Sequence, residues 1–440
     1  PSDGPDQGES SHEEGHLGRY LLDLRETDLK VNASPQSPAR EWYEPARALA
    51  RFLADAIVGE LNVLRPGGTT LERPPWSPDL AIGEDGLGLD SIERLAIASA
   101  LSEMLQLHES GIEDLLLTRR YFGEWVEVAA RGLEYHSARL VFRTSGSTGQ
   151  PKPCMHAMAD LEQEVNYLCG ALAGTRRVLA AVPAHHIYGF LFTVLLPLRL
   201  GGIEVIDVRH ITPSALPNMM ASGDLVISHP AHWALVARYA GPLPDGVSGV
   251  TSTAHCPPEL AQTLTAESGL QRLIQIYGST ETAGVGFRET AMPNFQLMPF
   301  WRRDDANPRH LMRRAIDGTQ RSVTLQDQLE WVAPDHFTIS ARLDNAVQVA
   351  GVNVFPEHVR EVLLQHPQVA DAAVRLMKQH EGARLKAFVV PVAGAEPGRL
   401  VAELERWTTA RLSAPERPKA FSFGEEVPVN GHAKLADWAA

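Results

Sequence analysis

The sequence predicts an α/β protein: a large layered α/β domain, a smaller α+β unit after it, and a helical segment in front. Three observations carry this. Short apolar runs of strand length recur at 140–142, 178–182, 203–208, 225–228 and 273–277, with helix-compatible stretches between several of them. That alternation is the texture of a layered domain with a largely parallel sheet. Beyond residue 344 a compact pattern follows: helix near 356–365, strands at 369–376 and 385–390, and a helix near 400–412. Ahead of residue 130 the apolar spacing is helical instead. A chain of 440 residues also exceeds the usual single-domain size. The expected segments are an acidic flexible tail over 1–40, a helical segment over 41–130, the large domain over 131–343 and the small domain over 344–440.

The elements follow in order. Between residues 41 and 64, Leu49, Phe52, Leu53, Ala56, Ile57, Leu61 and Leu64 fall on one helical stripe. A loop rich in proline and glycine occupies 65–85. Leu87-Gly88-Leu89-Asp90-Ser91-Ile92-Glu93 then opens a second helix, with Asp90 or Ser91 placed to cap it. A third helical stretch is expected over 112–130. The balance of 44% apolar and 21% charged residues can fill a core and is not that of a disordered chain. A formal charge of -14 argues against nucleic acid or an anionic membrane as partner, because both need a basic surface. Cys154, Cys169 and Cys256 form no CxxC or metal-like pattern, which suits buried thiols in a reducing compartment. No run of about 18 apolar residues exists, so no transmembrane helix is expected. Residues 1–16 lack the apolar centre of a signal peptide, and the expected location is cytoplasmic.

The strongest chemical signal is Thr144-Ser145-Gly146-Ser147-Thr148-Gly149-Gln150-Pro151-Lys152, directly after the first strand. Two glycines let backbone N–H groups turn toward an anion, four hydroxyls add donors, and a lysine adds positive charge. It is not a Walker A loop, whose glycines and lysine are spaced differently. The expected ligand is a phosphate chain. Four further segments stand out in order: Pro183-Ala184-His185-His186-Ile187-Tyr188-Gly189; Tyr277-Gly278-Ser279-Thr280-Glu281; Arg342-Leu343-Asp344-Asn345 followed by Gly351 and Pro356; and Pro428 with Lys434 six positions later.

Together these resemble the adenylate-forming superfamily of acyl-CoA synthetases, peptide-synthetase adenylation domains and luciferases, over about residues 140–440. The resemblance implies that a carboxylic acid attacks the α-phosphorus of ATP and pyrophosphate leaves, a reaction of positioning and charge stabilisation. It assigns Thr144, Ser145, Gly146, Ser147, Thr148, Gly149 and Lys152 to the β- and γ-phosphates and Thr280 to the α-phosphate. Glu281 would hold Mg²⁺, a cation that favours carboxylate oxygen. Tyr277, with Gly278 and Ser279, would lie along the adenine. The family's ribose-binding aspartate typically precedes the hinge-side arginine by 15 positions, and Asp327 precedes Arg342 by that interval, although Leu325-Gln326 replaces Thr-Gly. Lys434 would neutralise charge at the α-phosphate, and residues 344–440 would form a mobile lid turning about Asp344.

Ser228, His229, Thr253, Ala254 and Ala283 align with segments that shape the acid pocket, and His186 with its junction to the acceptor tunnel. Their small and polar character suits a short hydroxylated acid better than a fatty chain. His229 and His255 could equally be structural. Around Ser91 the sequence is similar to an acyl carrier protein's attachment site, so Ser91 either bears phosphopantetheine or merely opens a capped helix. The short chain and this N-terminus resemble the hydroxybenzoate:acyl-carrier-protein ligases of aryl-polyene (xanthomonadin-type) pigment pathways. On that reading the acceptor is the thiol of an acyl carrier protein. The alternatives are free coenzyme A as acceptor, or an inactive module that keeps only the fold.

Overall fold

The computed structural model describes residues 41–439, apart from 45, 69–70, 145–151, 291, 308, 343–345, 350–351, 379–380, 383 and 429–434. The helices α1 (Ala46–Leu64), α2 (Ser91–Leu105) and α3 (Phe122–Tyr135) come first. α1 buries Leu49, Phe52, Leu53, Ala56, Ile57 and Leu61 as its spacing requires, whereas Leu64 at its last turn is 42% exposed. The third helical stretch is split: a single turn at Leu115–Thr118 precedes α3, whose start is re-set by Glu124 accepting the N–H of Tyr121. α2 begins with a capping box. The Asp90 carboxylate accepts the N–H groups of Ile92 and Glu93, both at 2.8 Å, and Glu93 accepts the N–H of Asp90. Ser91 is the first helical residue and is exposed.

The strand after α3, β1 (Arg139–Thr144), pairs antiparallel with β2 (Lys152–Ala157) in a two-stranded sheet rather than joining the main one. Helix α4 (Met158–Ala171) follows. The main sheet takes β3 (Arg177–Ala180), β4 (Glu204–Asp207), β5 (Asp224–Ser228), β6 (Ser248–Thr251), β7 (Arg272–Ser279), β8 (Ala283–Glu289) and β9 (Phe295–Leu297). β10 (Trp301–Arg303), β11 (His310–Arg314) and β12 (Gln320–Thr324) form a separate antiparallel sheet, and β13 (Asp327–Ala333) and β14 (His336–Arg342) return to the main one. The order is β13-β14-β9-β8-β7-β6-β5-β3-β4. Its β4-to-β7 half is parallel, as expected, and its β8-to-β13 half is antiparallel. The expectation of a largely parallel sheet holds for the first half only. In the second half β13 alternates between half-buried and exposed residues, a weaker signal than the continuous apolar runs of buried parallel strands, and β14 reaches β9 across a long stretch of chain.

One apolar core joins Phe52, Leu53 and Ile57 of α1, Leu101 of α2 and Trp125 of α3 to Leu225, Ile274 and Phe337 of the sheet. The N-terminal helices thus share their interior with the α/β layers. The C-terminal unit has its own core, with Val359 and Leu363 of α6 (Pro356–Leu364) and Leu400 and Leu404 of α7 (Pro397–Arg411); α5 (Pro230–Tyr239) lies in the large domain. Two short strands, β15 (Val347–Val349) and β16 (Val352–Val354), precede β17 (Val369–Leu376), β18 (Leu385–Pro391) and β19 (Ala420–Phe423), which form its sheet. A mixed α/β domain with a small C-terminal domain is therefore the architecture. No helix among the described residues is long and apolar enough to cross a membrane.

Candidate active site

The carboxyl ends of the parallel strands β5, β6 and β7 lie side by side, and the residues following them leave the sheet at one edge. This carboxyl edge is where open α/β sheets place their ligands. It gathers Ser228 from β5, Thr253 and Ala254 after β6, and Tyr277, Gly278 and Ser279 from β7. Two residues here hold left-handed backbone, Thr253 at φ 75° and Ala283 at φ 58°. That region is costly for residues with a side chain, most of all for a β-branched threonine, and such strain clusters at functional sites.

On one side stands the turn between β7 and β8. Gly278 has no alternative, since a Cβ there would lie 2.1 Å from the carbonyl oxygen of Ala283. The Thr280 carbonyl accepts a hydrogen bond of 2.6 Å from Nε2–H of buried His156 on β2. A carbonyl can only accept, so the ring carries its proton on Nε2. Burial pushes His156 down to about 4, which keeps it neutral. Glu164 of α4 is fully buried and accepts the Gly284 N–H at 3.0 Å, and burial raises its carboxyl to about 7 against the pull of Arg313. Thr280 is half-buried, and Glu281 is exposed. Among the described residues no group of three or more histidine, cysteine, aspartate or glutamate side chains could hold a metal ion.

Asp327 and Arg342 are direct cross-strand partners in β13 and β14, with the guanidinium 4.0 Å from the carboxylate. The interval of 15 in the sequence is the length of this hairpin. The Tyr277 hydroxyl donates to the other Asp327 oxygen at 3.0 Å, while its ring packs on Phe295 and Phe337. Burial and the neighbouring Asp327 hold the Tyr277 hydroxyl protonated, well above its ordinary range. Thr144 and Lys152 face each other as the last pair of the β1–β2 ladder, closing the intervening loop at its base. Ser145, Gly146, Ser147, Thr148 and Gly149 lie outside the described residues, as do Asp344 and Lys434.

The opposite side is the segment 183–189. Gly189 is required because a Cβ would lie 1.8 Å from the Pro183 carbonyl oxygen, so the chain folds back tightly on itself. His186 caps the helical run of 187–199, and its carbonyl accepts the N–H of Phe190 at 2.8 Å. The residue is exposed at the surface, with protein packed around its ring side. Burial on that side, with Arg209 nearby, pushes the ring down to about 4. Ser228 is fully buried, with its hydroxyl 2.7 Å from His232 Nδ1 and its carbonyl accepting from the Tyr188 hydroxyl at 3.0 Å. His229 Nδ1 accepts the N–H of His232, a helix-capping contact at 3.4 Å, and burial lowers its ring to about 4.

The sequence and fold are similar to those of known proteins. The model of the AMP-binding enzyme family matches residues 102–324, and that of the AMP-binding enzyme C-terminal domain matches 358–434. A 4-coumarate--CoA ligase of Cereibacter sphaeroides is 40% identical over 376 residues, covering 83% of this chain and 87% of that protein. The chain belongs to the AMP-binding, adenylate-forming acid–thiol ligases. A second ligase of this family, the 4-coumarate--CoA ligase of Halorhodospira halophila, is 37% identical and covers 87% of this chain and 98% of its own length. The amide bond synthetase McbA from Marinactinospora thermotolerans shares the fold, with a TM-score of 0.55 at 18% identity over 89% of this chain and 92% of that one. Within the ligase fold, sequence reasoning missed His156, Glu164, Asp55 and Arg209. Asp55 alone left a signal, being one acidic residue inside the apolar stripe of α1.

Proposed function

We propose that this ligase activates a small hydroxylated aromatic acid with ATP and passes the acyl group to the thiol of coenzyme A. The observation carrying this is its similarity, at 37–40% identity and over nearly their whole length, to two proteins named as 4-coumarate--CoA ligases. An acyl carrier protein as acceptor and 3-hydroxybenzoate as acid, which the sequence resemblance favoured, have less support. The sharing of one core by α1, α2 and α3 with the sheet supports a structural N-terminal segment, with Asp90 capping and Ser91 unmodified.

In this reading Asp327, held by Tyr277, accepts the ribose hydroxyls of ATP. Thr144 and Lys152 bound the phosphate loop, Thr280 faces the α-phosphate, and Lys434 supplies positive charge as the acid's oxygen bonds to the α-phosphorus. Mg²⁺ fits as a companion of ATP: the site offers the exposed carboxylate of Glu281, and this cation commonly takes one or two carboxylates with the rest of its shell from phosphate and water. It would draw charge from the phosphates. His186, Ser228, Thr253, Ala254 and Ala283 bound the acid, and residues 344–440 swing about Asp344 between the two half-reactions.

Acid-dependent exchange of labelled pyrophosphate into ATP, run on 4-coumarate, 3- and 4-hydroxybenzoate and a medium-chain fatty acid, tests the first step. The expected substrate is a hydroxylated aromatic acid, and exchange with the fatty acid alone would overturn that. Thioester formation is then measured with free CoA and with a purified holo-carrier protein. CoA should suffice, and a product seen only on the carrier would restore the carrier reading. Incubation with a phosphopantetheinyl transferase and CoA should leave the mass at Ser91 unchanged.

A further inference from the structure

Helix α1 turns an unusual stripe toward the segment that carries His186. Arg51, Asp55 and Gly59 are spaced by four, so they stack on one face over successive turns. Arg51 donates to the carbonyl of Thr193. Asp55, only 3% exposed, accepts the backbone N–H of Ala184 at 2.6 Å with one carboxylate oxygen. Its other oxygen lies 2.7 Å from the Arg209 guanidinium. Arg209 in turn grips Asp207 at the end of β4, with Nε 3.0 Å from both carboxylate oxygens. Gly59 lets His185 lie against the helix, because a Cβ there would come within 2.6 Å of His185 Nε2. His185 and His186 are adjacent rings, 4.0 Å between centroids.

Fixing a backbone amide by a buried charge is expensive unless that charge is paired, and here Arg209 pairs it while Asp207 orients Arg209. The cluster of Arg51, Asp55, Asp207 and Arg209 sums to no net charge, so it can sit behind the site without biasing an anionic substrate. We propose that Asp55, paired with Arg209, is a positioning residue that sets the 183–186 backbone and thereby the placement of His186 in the acid site. The inference rests on the reading of His186 as a wall of the acid pocket.

Asp55→Asn is nearly isosteric but has a single acceptor. Whichever donor it serves, its amide N–H₂ confronts the other, Ala184 N–H or Arg209. The matched control is Asp224→Asn. Asp224 is equally buried, accepts the N–H of Ala221 at 2.8 Å and pairs with Arg177 at 2.6 Å, but it lies at the amino edge of β5, opposite the site. In pyrophosphate exchange, Asp55→Asn should lower kcat/KM for the acid about 10- to 100-fold, mainly through KM for the acid, with KM for ATP within about twofold. Combined with His186→Ala, it should cost little beyond the worse single variant, because both remove one coupled arrangement. Asp224→Asn should leave KM for the acid unchanged and multiply with His186→Ala.

Gly59→Ala reaches the same segment without touching a charge and favours the helix, so it serves even if Asp55→Asn folds poorly. It should raise KM for the acid while thermal stability holds. Losses that multiply in the Asp55→Asn/His186→Ala pair, or a normal KM for the acid in Gly59→Ala, would overturn the proposal. A readout independent of turnover is acylation of histidines by diethyl pyrocarbonate, mapped by mass spectrometry. Asp55→Asn should change the rate at His186 and leave exposed His108 alone. If wild-type enzyme activates no carboxylic acid, the functional reading fails, and the His186 rate still decides the positioning.

Discussion

The two walls of the candidate site are held in different ways. The segment 183–189 is braced by Asp55, whose carboxyl burial raises but which the Arg209 guanidinium meets directly at 2.7 Å. The turn 279–284 is braced by a neutral imidazole, His156, at the Thr280 carbonyl and by a carboxyl displaced toward neutrality, Glu164, at the Gly284 N–H. The difference teaches what a direct ionic partner does for a buried carboxyl. Charges lie behind both walls, but Asp55 meets its cation at 2.7 Å, whereas Arg313 pairs with Asp160 and acts on Glu164 without forming an ion pair with it. Support by a buried carboxyl without a direct cationic partner titrates near neutral pH.

The largest expected effect exploits that titration. Glu164 is raised from 4.5 to about 7, so the native state holds a proton that the unfolded chain has shed. Its stabilising share is complete below about pH 4.5 and is lost as pH rises toward 7. The span corresponds to at most about 3.5 kcal/mol. Unfolding by urea at a series of pH values should show wild-type stability falling across this window and Glu164→Gln falling less. Equal slopes would mean that Glu164 is ionised throughout and that both walls are held by charge.

Asp327→Ala tests the nucleotide side next. A carboxylate lost from two ribose hydroxyls and from Tyr277 should cost about 2 kcal/mol, or roughly 30-fold in KM for ATP, with KM for the acid little changed. A rise in the acid KM instead would move Asp327 to the other wall. This residue also shows what the sequence could reveal. Its spacing from Arg342 was legible because a hairpin converts sequence distance into a cross-strand pair. The motifs at 183–189 and 277–281 were legible because backbone geometry dictates Gly189 and Gly278. The supports were not: His156, Glu164 and Arg209 lie far in sequence from what they hold, and a buried ionisable residue has no local pattern. The antiparallel half of the sheet was missed for a related reason, since its pairing is settled by tertiary contacts and not by apolar runs.

His156→Phe should have a smaller effect, about 1–2 kcal/mol, or on the order of tenfold in the rate of pyrophosphate exchange, because the Thr280 carbonyl loses its donor. The phenyl ring preserves the edge-on contact with Phe142, whose ring centroid lies 5.9 Å away, so packing should survive. Since His156 is already neutral near pH 7, the exchange rate of the variant should keep the wild-type pH profile between 6 and 8. A changed profile would show that the imidazole carries charge there, erasing the contrast between the walls.

The smallest effect is expected from Tyr277→Phe, and it separates two uses of one side chain. The ring is held by Phe295 and Phe337 at centroid distances of 5.9 and 5.3 Å, and phenylalanine keeps those contacts. Only the hydroxyl is lost, and with it the 3.0 Å bond to Asp327. Arg342 stays opposite Asp327, so the carboxylate should remain near its place with more freedom. Loss of one hydrogen bond to a charged group, partly replaced by water, should cost about 1 kcal/mol, or roughly fivefold in KM for ATP. In Asp327→Ala the same substitution should then do nothing more, because the hydroxyl acts only through the carboxylate it orients. A full fivefold loss in that background would mean that Tyr277 touches the nucleotide through its hydroxyl, and the nucleotide wall would then rest on two direct contacts.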